Sequence, residues 1–174
     1  IGLAQIEILP GNPRENYRIC CEMVDEAVKN SVDFLVFPEM CLSGYLIGDL
    51  WEEESFLREL EQYGSKLAEY SSDLCLAFGN VGVDWSKRGF DGRVRKYNSV
   101  FLTQYGQMIH NECAELNHFP KTLLPNYREF EENRHFFDLP RLALERKVTL
   151  QDLITVPSVQ VRHNGGDDDF TEEF

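Results

Sequence analysis

The sequence contains little positive charge. Its 174 residues include 17 Lys and Arg against 30 Asp and Glu, which gives a formal net charge of −13. Nucleic acids and anionic membranes are bound through basic surfaces, and the sequence has no cluster of basic residues. It also lacks an apolar stretch as long as a transmembrane helix. We therefore expect neither nucleic acid nor membrane as a partner.

Cysteine is present in an uninformative pattern. The five cysteines are an odd number, with one adjacent pair, Cys20-Cys21, and no C-x-x-C. Neither a disulfide framework nor a zinc site has this spacing. Cys20 and Cys21 fall in a predicted helix and Cys75 in a predicted strand, so we expect them to be buried as small apolar residues. A reducing, cytoplasmic location follows as an expectation.

Two further kinds of site are missing. The four histidines do not have the spacing of metal ligands, and the segment Gly79–Gly82 is too short for a phosphate-binding loop. We therefore predict no metal site and no phosphate-bearing cofactor within these residues.

Apolar periodicity predicts alternating strands and helices. Asn12 can cap a helix whose first position is Pro13, and a consecutive apolar run at 33–37 predicts a strand that is covered on both faces. The predicted strands are 2–8, 33–37, 74–79, 97–103 and 107–114, with a strand beginning at 158–162. The predicted helices are 13–28, 52–70, 140–146 and 149–154. This order indicates an α/β layered fold.

Polar stretches complete this description. Residues 84–96 read as a surface loop, and residues 104–106 as the turn of a hairpin. Two acidic runs, Glu52–Glu54 and Asp167–Glu173, are typical of solvated surface.

Glu39 is the first candidate for chemistry. It directly follows the apolar run 34–38, and ligands of α/β folds gather at the carboxyl ends of strands. Partial burial is expected to raise its pKa towards the range of a general base. The ordinary alternative is a carboxylate that caps the next turn or is paired at the surface.

Lys121 is the second candidate. Pro120 and Pro125 bracket it and stiffen its loop, so its ammonium group could stabilise an oxyanion near Glu39. The alternative is a surface lysine. Glu131 and Glu132 follow, and the simplest expectation for both is solvated charge, although neighbouring phenylalanines indicate that this stretch packs down.

Three motifs resemble one known family. The run 37–45, FPEMCLSGY, resembles the glutamate motif of the nitrilase, or carbon–nitrogen hydrolase, superfamily. KTLLPNY at 121–127, leading into FEENRHF at 130–136, resembles the lysine motif of the amino-terminal glutaminase domain of glutamine-dependent NAD⁺ synthetases. IGLAQI at 1–6, with Gly11 and Asn12, resembles the opening strand and turn. The resemblance covers residues 1–137 well and 138–174 poorly.

The resemblance implies a fold and a set of roles. The fold is an α/β four-layer α-β-β-α sandwich, incomplete in these residues. Glu39 would be the general base, Lys121 would stabilise the tetrahedral intermediate and Glu132 would orient the lysine. Tyr45 and Tyr127 would line the glutamine pocket.

The implied chemistry is hydrolysis of the glutamine amide through a thioester, which needs no cofactor in this domain. In the whole enzyme, a carboxy-terminal synthetase domain with ATP and Mg²⁺ would use the ammonia to convert deamido-NAD to NAD⁺. Family members also assemble, so a homo-oligomer is expected.

One part of the family pattern is missing. The nucleophilic cysteine of the family follows the lysine motif, and no cysteine follows Cys113. Cys113 precedes Lys121, and Cys41 is only two residues from Glu39, so neither is assigned the role. We expect residues 1–174 to be a partial glutaminase domain without its synthetase domain, inactive alone and prone to associate through an open apolar face.

Two other functions remain open at this point. One is a stand-alone nitrilase-like amidase that acts on another small amide. The other is a non-catalytic binding protein with the nitrilase fold.

Overall fold

A mixed sheet forms the centre of the chain. The computed structural model describes residues 1–154, 157–160 and 171–173. Four strands lie side by side in chain order: β1 (Gly2–Leu3), β2 (Phe34–Val36), β3 (Cys75–Arg88) and β4 (Val94–Gln104). The first three run parallel, and β4 is antiparallel to β3. Two short strands, β5 (Gln107–Met108) and β6 (Phe119–Pro120), both pair with β4. Separately, β7 (Ser158–Gln160) pairs with β8 (Thr171–Glu173).

The helices follow local signals in the sequence. They are α1 (Pro13–Lys29), α2 (Glu54–Tyr70), α3 (Glu132–His135) and α4 (Leu139–Arg146), with 3₁₀ turns at Gly48–Glu52 and Gln151–Leu153. The Asn12 side chain accepts a hydrogen bond from the Glu15 amide at the start of α1, as its position in the sequence predicts. Asp138 caps α4 in the same way. Among the described residues, no helix is both long and apolar enough to cross a membrane.

The two long helices cover one face of the sheet. Successive strand residues point to opposite faces, and Phe78 and Phe101, opposite each other in the β3–β4 register, stack with ring centroids 5.4 Å apart. They belong to the main core together with Leu57 and Leu60 of α2. On the other face, Ala77 and Leu102 pack in a smaller cluster with Val159. The described residues therefore build one helix layer and one sheet layer of the predicted α/β sandwich.

The predicted loop at 84–96 is wrong. β3 continues to Arg88 and β4 begins at Val94, so only a short turn separates them. Asp84 lies opposite Arg95 in the register. Opposite charges at facing positions stabilise a strand pair, so a polar stretch of this kind can be a strand and not a loop.

Other strand limits also differ from the predictions. β1 is only two residues long, and Leu3 is exposed because β1 is an edge strand. The turn at Tyr105-Gly106 has positive φ at both residues, as tight hairpin turns require, but the returning strand β5 ends after Met108. At the predicted strand 158–162, β7 spans Ser158–Gln160 and the last two residues lie outside the described part. The second acidic run is likewise described only as the strand 171–173.

The five cysteines lie in mixed settings. Cys20 and Cys75 are buried, as predicted, and so is Cys41, whereas Cys21 is half-buried and Cys113 is exposed.

Candidate active site

The structure brings Glu39, Lys121 and Glu132 together. The Lys121 Nζ atom lies 2.7 Å from Oε1 of Glu39, a residue 82 positions away, and 3.1 Å from Oε1 of Glu132. The Glu132 side chain is only 4% exposed, so the expectation of solvated charge is wrong for it, whereas Glu131 is exposed. A single ammonium group is thus shared by two carboxylates, one of them buried.

Glu39 occupies a tightly held loop after β2. The Phe37 amide donates to the Ala77 carbonyl, which keeps the chain against β3 beyond the last residue of the strand. Gly79 makes this approach possible, since a Cβ there would lie 2.4 Å from the Met40 nitrogen and 2.6 Å from the Glu39 Cα. Met40 itself has φ of 52°, so the chain turns sharply directly after the carboxylate.

Lys121 is positioned by β4. Its amide donates to the Asn98 carbonyl at 2.8 Å, which extends the pairing of β6 with β4. Three residues earlier, the buried ring of His118 forms a 2.9 Å hydrogen bond between Nδ1 and Oγ of Ser99. Both ends of the segment that carries Lys121 are therefore fixed to neighbouring residues of one strand.

Glu132 begins the short helix α3. Its amide donates to the Pro125 carbonyl, and its own carbonyl accepts from the Phe136 amide. The Phe137 amide then donates to the Lys96 carbonyl at 2.7 Å, which attaches the end of this segment to β4. The aromatic residues around Glu132 do pack down, since Phe136 is buried against Trp51.

Two neutral side chains complete the cluster. The Tyr45 hydroxyl lies 2.5 Å from Glu39 Oε1 and 2.7 Å from Glu132 Oε1. Asn98 Nδ2 lies 2.5 Å from Glu39 Oε1, 2.9 Å from the Tyr45 hydroxyl and 3.2 Å from Glu132 Oε2. Lys121 carries one positive charge against two negative ones, so these neutral donors stabilise the remaining negative charge.

Asn98 was not predicted from the sequence. It lies within YNSV on a strand whose neighbours are mostly buried. Asparagine is disfavoured inside strands, so its presence there is a signal that its amide has a specific partner. Identifying those partners required the fold.

Tyr127 lies at the margin of the cluster. It is exposed, and its ring packs edge-on against Phe130, which in turn packs against Tyr45. A cleft of about 200 Å³ opens beside Tyr45, with Trp51, Phe130 and Glu132 among its walls. The roles of Tyr45 and Tyr127 in a glutamine pocket remain predictions.

The expected rise in the pKa of Glu39 is not what the site produces. Burial is the largest single influence and acts to raise the pKa, but the side chain is still 46% exposed, and hydrogen bonds from Lys121, Tyr45 and Asn98 together lower the pKa below its usual value. Burial likewise acts to lower the pKa of Lys121, but the two carboxylates raise it above its usual value. Both groups are therefore charged at neutral pH.

No cysteine thiol is among the described contacts of Glu39 and Lys121. The buried Cys41 thiol donates to the Gly79 carbonyl, and the exposed Cys113 lies in the segment between β5 and β6. The described part of the chain also contains no group of three His, Cys, Asp or Glu residues that could hold a metal ion.

The chain is similar in sequence to known enzymes. No protein-family model matches it. It is 32% identical over 136 residues to the glutamine-dependent NAD(+) synthetase of Thermotoga maritima, and 29% identical over 136 residues to that of Acinetobacter baylyi. Each match covers 78% of this chain.

Solved structures agree with this. The glutamine-dependent NAD+ synthetase of Acinetobacter baumannii matches 78% of this chain at 29% identity with a TM-score of 0.59. An amidase of the nitrilase superfamily from Nesterenkonia is 17% identical to this chain, with a TM-score of 0.61. The match covers 78% of this chain and 46% of the amidase, and this likeness shows the fold. The chain has the nitrilase fold and is similar in sequence to the glutamine-dependent NAD(+) synthetases. It spans about a fifth of the length of the curated relatives that it matches (21% and 22%).

Proposed function

We propose that this nitrilase-fold chain is part of a glutaminase that supplies ammonia for ATP-dependent NAD⁺ synthesis. The observation that carries the proposal is the Lys121 ammonium group, held 2.7 Å from Glu39 and 3.1 Å from Glu132. The similarity to synthetases at 29–32% identity supports glutamine as the substrate.

The geometry suits acyl transfer to a thiol. A cysteine thiol has a pKa of about 8.5 and needs a base to form the thiolate at neutral pH. Glu39 is ionised and partly exposed, so it can accept that proton. The thiolate would attack the glutamine amide carbon, and Glu39 would then pass the proton to the leaving nitrogen, which departs as ammonia.

Lys121 and Glu132 would serve the intermediate. The Lys121 ammonium group can donate to the oxyanion that develops on the amide oxygen, and Glu132 holds the lysine from its buried side. Water would then hydrolyse the thioester, with Glu39 again acting as the base. The scheme requires a cysteine outside these 174 residues, because the described contacts of Glu39 and Lys121 include no thiol.

The remaining assignments belong to the whole enzyme. We propose that residues 1–174 are a partial glutaminase domain and that a synthetase domain uses ATP, Mg²⁺ and deamido-NAD. A homo-oligomer in the cytoplasm is part of the same proposal. A stand-alone amidase shares the fold at 17% identity, but the more similar relatives favour the synthetase.

The test begins with the protein expressed from its complete reading frame. Its intact mass is compared with the 20.2 kDa of this sequence, and ammonia release from L-glutamine and ATP-dependent NAD⁺ formation are then measured. A larger mass with both activities supports the proposal. Ammonia release from other small amides but not from glutamine would favour the stand-alone amidase, and no turnover of any amide would favour a binding protein.

A further inference from the structure

Glu52 is largely buried, unlike the other two residues of the acidic run Glu52–Glu54. Glu53 and Glu54 are exposed, but the Glu52 side chain is only 15% exposed. It ends the 3₁₀ turn Gly48–Glu52, shortly after Tyr45, and directly follows Trp51, which packs against Phe136.

The Glu52 carboxylate joins two separate parts of the chain. Its Oε2 accepts from Lys96 Nζ at 2.6 Å, and its Oε1 lies 2.7 Å from Nδ1 of His135. Arg93 lies further away, at 3.4 Å. The Lys96 side chain is 2% exposed, so Glu52 supplies the counter-charge that a buried ammonium group needs.

Both partners are immediate neighbours of the candidate site. Lys96 and Asn98 are two residues apart on β4, so their side chains leave the same face of the strand. His135 and Glu132 belong to the same single turn, α3. The carboxylate therefore connects the strand that carries Asn98 to the helix that carries Glu132.

We propose that Glu52 is a positioning residue for the site. By binding Lys96 and His135 at once, it fixes Asn98, which contacts Glu39, relative to Glu132, which contacts Lys121. The catalytic meaning of this role rests on the proposed function, but the contacts themselves do not.

The test measures the position of the Asn98 side chain by NMR and needs no enzymatic activity. Asn98 Nδ2 donates to Glu39 and Glu132, so the two Asn98 side-chain amide protons report their positions in ¹H–¹⁵N spectra of the protein expressed from its complete reading frame. The variants are Glu52→Gln, the double variant Glu52→Gln/Lys96→Met, which leaves no lone buried cation, and the control Glu53→Gln, which removes the same charge from an exposed neighbour.

A second reporter separates positioning from unfolding. The Trp85 indole N–H is bonded to Glu61, at 2.9 Å from both carboxylate oxygens. We expect both Glu52 variants to shift or broaden the Asn98 resonances while the Trp85 resonance stays in place, and Glu53→Gln to move neither.

Two results would overturn the proposal. One is an unchanged Asn98 pair in folded Glu52→Gln protein. The other is loss of the dispersed spectrum in both Glu52 variants, which would make the carboxylate a requirement for folding. Neither result depends on whether the protein hydrolyses glutamine, so failure here and failure of the proposed function are distinguishable.

Discussion

Replacement of His118 by asparagine should flatten the acid dependence of stability. Burial lowers the pKa of His118 from the usual 6.5 to about 4. In the unfolded chain the imidazole takes up a proton below pH 6.5, whereas in the folded chain it stays neutral until about pH 4. Protonation therefore favours the unfolded chain, and the free energy of unfolding falls as the pH drops through this window.

The magnitude follows from the difference of the two pKa values. A separation of about 2.5 units corresponds to about 3 kcal/mol at 1.36 kcal/mol per unit. The loss begins near pH 6.5, proceeds at up to about 1.4 kcal/mol per pH unit, and levels off below pH 4. This is a large share of the roughly 5–15 kcal/mol by which domains are stable.

The assay is urea unfolding at several values between pH 7 and pH 4. Asparagine keeps a polar atom for Ser99 but removes the titration, so His118→Asn should lose less stability over this range than the parent, whatever its stability at pH 7. His110→Asn, at an exposed histidine, controls for the substitution itself. Equal pH slopes for the parent and His118→Asn would refute the reasoning.

Four further predictions concern the site and the sheet around it. Gly79→Ala should lower the free energy of unfolding by about 1–3 kcal/mol, because its Cβ would lie 2.4 Å from the Met40 nitrogen; an unchanged urea midpoint would contradict the close approach. Gly82→Ala should cost a similar amount, because its Cβ would lie 2.3 Å from His118 Nε2; the same urea assay checks this. Lys121→Met should slow ammonia release about 10²–10³-fold, as loss of an oxyanion donor does, in steady-state assays of the active protein, and an unchanged rate would remove the lysine from the mechanism. The isolated 174-residue chain should associate through the sheet face on which Val100 is exposed, and sedimentation of a single monomeric species would argue against this.

Local signals predicted α1, α2 and α4, whereas the predicted helix 149–154 forms only the 3₁₀ turn Gln151–Leu153. The Asn12-Pro13 pair sets the start of α1, and Thr149 and Asp152 form reciprocal hydrogen bonds at the start of that 3₁₀ turn. Such signals act over a few residues, so the sequence carries them directly.

The site depended on contacts over long distances. The motifs indicated Glu39, Lys121 and Glu132, but not that Asn98 lies between the two carboxylates. The acidic run likewise concealed Glu52, because its burial depends on Lys96 of β4, 44 positions away. Polarity alone does not distinguish a solvated carboxylate from one that is paired with a buried lysine.

The most direct test of the account compares ammonia release from L-glutamine by the parent protein, expressed from its complete reading frame, with that of Glu39→Gln and Glu53→Gln. A general base contributes about 10²–10⁴ to the rate. The account predicts that the parent and Glu53→Gln release ammonia at similar rates and that Glu39→Gln is at least about 10²-fold slower. Equal rates for Glu39→Gln and the parent, or no ammonia release by the parent, would contradict it.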